Sequence, residues 1–270
     1  MISEILAKEI DIPLNDYYIC YFDVLGYKNA FEKPEEHKQF LWNMLLSTNS
    51  IESIIRNTNT YIRVQYRTYS DNFLLYFENE NIDEYEALKL LSTIARKIQL
   101  KLLTDHKIIV RGGITVGEFY ADDKIVFGQG LIRAVNLEDK IAKNPRIVID
   151  ENCFQESISK LVETRYLLQD TDGLYYVNYF HSKETLSYLK GYCISLINSN
   201  CKYQYNVKDE SKIAQKERVI TKYLWLLIKF NEACRAIKEE SLQIDYQLKI
   251  NEKILKLEIS CDKNKTFPVV

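Results

Sequence analysis

Two aspartates carry the first chemical signal in the chain. Asp23 interrupts an apolar run, with Cys20, Tyr21 and Phe22 before it and Val24 and Leu25 after it, a pattern that reads as an interior strand. A carboxylate placed there is costly unless it is paired, hydrogen-bonded or bound to a cation. Asp71 stands in the Ser70-Asp71 pair between two further strand-like runs, YIRVQYRTY (61–69) and NFLLYF (72–77). Ser and Asp favour a tight turn because their side chains bond their own backbone. Two carboxylates delivered to one end of a sheet repel each other without a cation between them. With one, they form a site suited to a divalent metal and to nucleotide phosphates.

The elements that must position these acids are legible from hydrophobic spacing. The pattern predicts a strand over 17–25, helix over 27–56 with a break near Pro34, and the 61–77 hairpin. An amphipathic helix over 83–104 follows, with Leu88, Leu91, Ile94, Ile98 and Leu102 spaced by three and four. A strand over 107–116 contains RGG, a helix over 130–143 stops at Asn144-Pro145, and RIVI (146–149) is a further strand. The first six elements follow the β-α-β-β-α-β order of a ferredoxin-like unit. In that unit strand one lies beside the hairpin, which brings Asp23 to Asp71. The expected fold class is therefore α+β: an antiparallel-rich ferredoxin-like βαββαβ sheet with helices on one face.

Residues 167–180 read as a small hairpin turning at Asp172-Gly173. Residues 182–198 and 212–238 read as helices, and the last thirty are ambiguous between helix and strand. The expected division is a domain over 1–180 and a mainly helical extension over 181–270 packed on it.

Composition narrows the class. Of 270 residues, 46% are hydrophobic and 27% charged, enough for a full core. The net charge of -2 lacks the basic footprint of a nucleic-acid binder. No apolar run approaches the roughly 18 residues of a membrane span, and the acidic N-terminus is unlike a signal peptide. A cytoplasmic protein with no membrane or nucleic-acid partner is expected. The six cysteines are scattered and only three histidines occur, so buried free thiols are favoured over a zinc site.

Four segments in order, FDVLGY (22–27), RTYSDNFLLYF (67–77), RGGITVGEFY (111–120) and VFGQGLIRAVNLEDKIAKNPRIVI (126–149), resemble the motifs of class III nucleotide cyclases. The SerAsp hairpin, the ArgGlyGly strand, the AlaxxLeuGlu helix and the ProArg strand start look most like the bacterial pyrimidine cyclases of Pycsar anti-phage systems. KYLWLLIKFN (222–231) resembles that subgroup's C-terminal region.

The resemblance implies roles. Asp23 and Asp71, with the backbone carbonyl of Val24, are expected to hold two Mg²⁺ or Mn²⁺ ions per site. Backbone N–H groups around Gly26 and Tyr27 are expected to face the β- and γ-phosphates at a helix start. Arg111 aligns with a phosphate-contacting arginine. Arg67 takes the base-reading place; as a donor only, it suits pyrimidine O2 or O4 or cytosine N3. The family's transition-state Asn and Arg fall at Ile132 and Asn136, which leaves Arg133 and Arg146 as candidate catalytic arginines. Ile125 replaces the second, acidic adenine-selecting residue. The implied activity is conversion of UTP to 3′,5′-cyclic UMP and pyrophosphate at a homodimer interface. The product is then a second messenger for a separate cyclic-nucleotide effector in anti-phage defence. CTP is the alternative substrate, and a non-catalytic nucleotide-binding dimer the alternative role.

Overall fold

The computed structural model describes residues 14–25, 34–58, 61–80, 82–200, 202–204, 210–251 and 254–259. Gly26 and Tyr27 lie outside the described residues. The long strand β1 (Asn15–Val24) is followed by α1 (Pro34–Thr58), β2 (Gln65–Tyr69), β3 (Asn72–Glu78), α2 (Glu84–His106) and β4 (Val110–Ala121). The sheet runs β2-β3-β1-β4, with β1 antiparallel to both neighbours. This is the βαββαβ unit expected from the sequence. Beyond β4 come β6 (Ile147–Ile149), β8 (Tyr175–Val177) and β7 (Leu167–Gln169), and β5 (Val126–Phe127) folds back on β4.

The alternation of β1 explains how one strand serves two faces. Tyr18, Cys20, Phe22 and Val24 enter the main core, where α1, α2 and α4 (Gln155–Glu163) cover the sheet. Phe22 stacks on Phe73 with ring centroids 5.1 Å apart, and each such buried ring contributes roughly 1.5–3 kcal/mol. Helix α2 starts cleanly because the Asp83 carboxylate accepts the Glu86 N–H at 3.3 Å.

Tyr17, Ile19, Tyr21 and Asp23 point the other way. That face is not bare: α3 (Gln129–Asn136) lies on β1 and β4, packing Ala134 and Leu131 near Ile19 and Phe119. So one helix departs from the one-faced arrangement expected. It can approach because Gly130 sits on Gly117 and Ile19, where a Cβ would come within 2.7 Å of the isoleucine. The continuous helix expected over 130–143 also divides, with a π-helical turn at Leu137–Ile141.

Residues after 180 form α5 (Lys183–Asn200), α6 (Glu210–Ala236) and a small sheet ordered β10-β11-β9, from β9 (Lys202–Gln204), β10 (Tyr246–Asn251) and β11 (Ile254–Ile259). Helices α5 and α6 share a second core with Tyr176, Tyr179 and Phe180. Among the described residues no helix is long and apolar enough to cross a membrane.

Candidate active site

The sheet brings Asp23 and Asp71 together. Asp23 pairs with Asn72 across β3 and with Arg111 across β4. Ser70 and Asp71 form a two-residue turn between the paired Tyr69 and Asn72. Ser70 takes a left-handed backbone, φ 57°, which an L-residue adopts at a cost. The turn is fastened to β1 by the Val24 N–H, which donates to the Asp71 carbonyl at 3.1 Å. The Val24 amide is thus used inside the fold, and its side chain is buried.

The electrostatics of Asp23 are those of an acid short of positive charge. Burial first, then a hydrogen bond to Asp71 and that group's charge, then Glu138, push its pKa up to about 8 against the opposing pull of Arg111. Its Oδ1 is buried and no N–H or O–H donor reaches it. Tyr21 on the same face is pushed up to about 12 by burial and by Glu138, Asp23 and Asp71. Among the described residues no three His, Cys, Asp or Glu side chains converge as a ready metal cage. Two hard oxygen donors with an orphaned lone pair nonetheless fit a divalent cation that retains waters or substrate oxygens.

Arg111 projects from β4 among acids. Its Nε lies 2.7 Å from Glu138 Oε1 and its Nη2 lies 3.7 Å from Asp23 Oδ2 and 4.0 Å from Asp139 Oδ1. The close pair with Glu138 is off-axis, so neither Nε nor Oε1 gains a directed hydrogen bond. Glu138 is raised by burial and lowered by Arg111. The neighbouring glycines explain how the acids arrive. A Cβ on Gly112 would fall 2.3 Å from the Tyr21 carbonyl, and one on Gly113 2.4 Å from Leu137 Cβ. The close approach they permit is to β1 and to the π-helical turn of the same chain. That turn seats Glu138 against Arg111, a placement typical of π-turns at functional sites.

The remaining expected residues separate. Arg67 lies on β2, on the face that α3 covers elsewhere, with Nε donating to Tyr76 Oη at 3.3 Å. Arg133, half exposed on α3, donates from Nη1 to the Val116 carbonyl and to Cys153 Sγ, each at 3.1 Å. Val116 pairs with Tyr18, five residues from Asp23 on β1, or ~17 Å along the strand. Arg133 and the two acids therefore do not meet within one chain.

Arg146 requires a correction. It is 1% exposed, and its guanidinium is bound by Asp170 and by both oxygens of Asp172. Asp170 also accepts from Trp225 Nε1 at 2.7 Å and Lys229 Nζ at 2.8 Å. Burial alone would raise Asp170, but hydrogen bonds from Lys229 and Trp225 outweigh it and hold the group below the ordinary carboxylate range. Arg146 is a structural ion-pair centre with no donor fork left for a substrate.

Sequence reasoning missed Glu138, Asp139 and Lys222. The first two sit in LEDK, which spacing alone presents as a solvated helix end. Lys222, half-buried on α6, lies within electrostatic reach of Asp23, Glu138 and Arg111. Its signal was the KYLW segment, which gives no hint of where the helix docks.

Comparison with solved structures returns nucleotide cyclase domains. The guanylyl cyclase domain of the RhoGC fusion protein from the fungus Blastocladiella emersonii is 15% identical, over 61% of this chain and 95% of that one, with a TM-score of 0.48. The adenylyl cyclase CyaB from P. aeruginosa is 14% identical over 62% and 95%, with a TM-score of 0.42. A class III adenylyl cyclase-like ATP-binding protein from Pseudomonas aeruginosa is 12% identical over 67% and 43%, with a TM-score of 0.39. No family model and no curated protein matches the chain.

Proposed function

We propose that the chain is a pyrimidine nucleotide cyclase. It converts UTP, or alternatively CTP, to the 3′,5′-cyclic monophosphate and pyrophosphate, and it works in the cytoplasm as a homodimer. The observation that carries this reading is the Asp23–Asp71 pair: two carboxylates on adjacent elements, one pushed up to about 8 with an orphaned buried oxygen. Asp23, Asp71 and the Val24 carbonyl would hold the two Mg²⁺ or Mn²⁺ ions, which when bound would supply positive charge to the triphosphate and to the ribose 3′-oxygen. In the reaction the 3′-oxygen bonds to the α-phosphorus as the bond to the bridging oxygen of the β-phosphate breaks. The hydroxyl proton is lost to water and pyrophosphate leaves.

The separation of Arg133 from the acids supports a two-chain site. A symmetric dimer supplies acids from one protomer and Arg133 and Arg67 from the other. Tyr69, Phe127 and Ile132 are exposed apolar side chains near those arginines, at 45%, 42% and 55%, and suit such an interface. Arg67 offers donors to a pyrimidine carbonyl or to cytosine N3, and Ile125 offers adenine no acceptor. Gly26 and Tyr27 are assigned to the phosphate turn, and the second-messenger role in anti-phage defence rests on the sequence resemblance. The 1–180 unit is read as the catalytic domain and 181–270 as its extension.

The test is incubation of the chain with each of the four NTPs and Mn²⁺, followed by chromatography. A cyclic pyrimidine nucleotide is expected; a dimer that yields no cyclic product from any NTP overturns the reading. Asp71→Asn is expected to lower turnover about a thousandfold, since it removes a metal carboxylate, with the thermal midpoint retained. Turnover at the wild-type rate removes the metal assignment.

A further inference from the structure

Helix α6 belongs to the C-terminal extension, yet Leu25, the residue after β1, packs against the core that α6 helps to build. Lys222, Trp225 and Lys229 are spaced by three and four residues and share a helix face. Trp225 and Lys229 are both fixed on Asp170, at 2.7 and 2.8 Å. Asp170 in turn binds Arg146, whose own carbonyl accepts the Gly112 N–H at 3.0 Å. Arg111 is the preceding residue on β4 and pairs with Asp23. The anchored half of the stripe thus fixes the helix rotation, and Lys222, one turn earlier, lies within electrostatic reach of Arg111, Asp23 and Glu138.

The two cations of that cluster are not equivalent. Arg111 is held among three carboxylates between 2.7 and 4.0 Å. For Lys222 no carboxylate among the described residues lies within 4 Å, although it is half-buried. Four acids, Asp23, Asp71, Glu138 and Asp139, repel an arriving polyanion, and Arg111 is already committed to three of them. Arg218, one turn earlier on the same helix, adds positive charge beside Lys222.

From this placement we infer that Lys222 is a polyphosphate ligand: the C-terminal extension supplies, within the same chain, the ammonium that binds the triphosphate tail of the substrate. Lys222 is then a catalytic residue that the 1–180 unit lacks. An ammonium is a compact donor of three hydrogen bonds and suits a phosphate chain without demanding one orientation. The inference rests on the nucleotide reading of the site, and its test separates the two.

Sodium tripolyphosphate with Mn²⁺ is titrated calorimetrically into the full chain, its Lys222→Gln variant and its Lys222→Arg variant. Lys222→Gln is expected to weaken binding about tenfold or more, the worth of one charge-assisted hydrogen bond, and Lys222→Arg much less. In parallel, acylation of lysines on the wild-type chain is read by mass spectrometry. Tripolyphosphate is expected to shield Lys222 and leave the exposed Lys183 labelled. Equal affinity of wild type and Lys222→Gln, unshielded Lys222, or no tripolyphosphate binding at all overturns the assignment. If Lys222→Gln makes cyclic nucleotide with an unaltered KM, the lysine assignment fails and the cyclase reading stands. If tripolyphosphate binding depends on Lys222 but no NTP is cyclised, the ligand assignment stands and the cyclase reading fails.

Discussion

Two charge clusters lie at one sheet, around Asp23 on β1 and around Arg146 at the start of β6, with β4 between them, and obey opposite rules. Around Arg146, the partners Asp170, Asp172, Trp225 and Lys229 satisfy almost every polar atom, the Arg146 Nε excepted. Its acids sit below the ordinary carboxylate range. Around Asp23, acids outnumber cations, an oxygen is orphaned, and the pKa climbs to about 8. A closed network of this kind holds a fold together, because each charge is compensated where it stands. An open one stores an electrostatic deficit that a bound cation can relieve, which is why perturbed acids mark functional positions.

The contrast breaks most visibly by removing its two arginines. Arg146→Ala strands Asp170 and Asp172 without their shared cation and is expected to cost about 3–5 kcal/mol, read by urea denaturation. Arg111→Ala is expected to cost far less, because Asp23 and Glu138 already take up protons readily. Equal losses from the two substitutions would erase the distinction between the clusters.

Next in size is the response to pH of protein stripped of divalent metal with a chelator. Asp23 binds its proton more tightly folded, with a pKa of about 8, than unfolded, near the ordinary aspartate value of 3.8. Between those values the folded state carries the extra proton. Stability therefore falls as pH rises, by up to about 1.4 kcal/mol per pH unit from this group, and levels off above pH 8. Asp23→Asn is expected to flatten that slope and raise the midpoint of the metal-free protein near pH 8. A metal-free midpoint that climbs from pH 5 to pH 8 contradicts the deficit. Around Asp170, lowered in the fold, the sign reverses: its stability is present at neutral pH and lost on acidification.

These clusters were unequally legible in the sequence. The Asp23–Asp71 encounter follows from local signals, since a strand pattern and a SerAsp turn need only the ferredoxin-like order to bring them together. β4 runs to Ala121 rather than 116, because Asp122 closes a turn to β5 by accepting the Lys124 and Ile125 N–H groups at 2.8 Å. The π-helical turn was hidden, since apolar spacing over 130–143 suits an ordinary helix equally well. Arg146 was misread because its partners are 24 and 26 residues away in a hairpin whose Asp172-Gly173 was explained by turn chemistry alone. The same Asp172 does both jobs. Lys222 was hidden for a related reason: its meaning depends on the rotation of α6, which the contacts of Trp225 and Lys229 with Asp170 set.

The smallest effect lies in the two turns that deliver the acids. Asp172 is followed by Gly173 at φ +87°, with open space where a Cβ would stand, whereas Asp71 follows Ser70 at φ 57°. Replacing glycine there introduces backbone strain without a clash, so Gly173→Ser is expected to lose about 1 kcal/mol. Ser70→Gly relieves a comparable strain but gives the unfolded chain more freedom, and those terms oppose each other at roughly 0.5–1 kcal/mol each. Its net change is expected to be close to zero by thermal unfolding. A clear loss on Ser70→Gly would mean that the serine side chain, and not only its backbone, holds Asp71 beside Asp23, so the open cluster would be built more rigidly than its unmet charge implies.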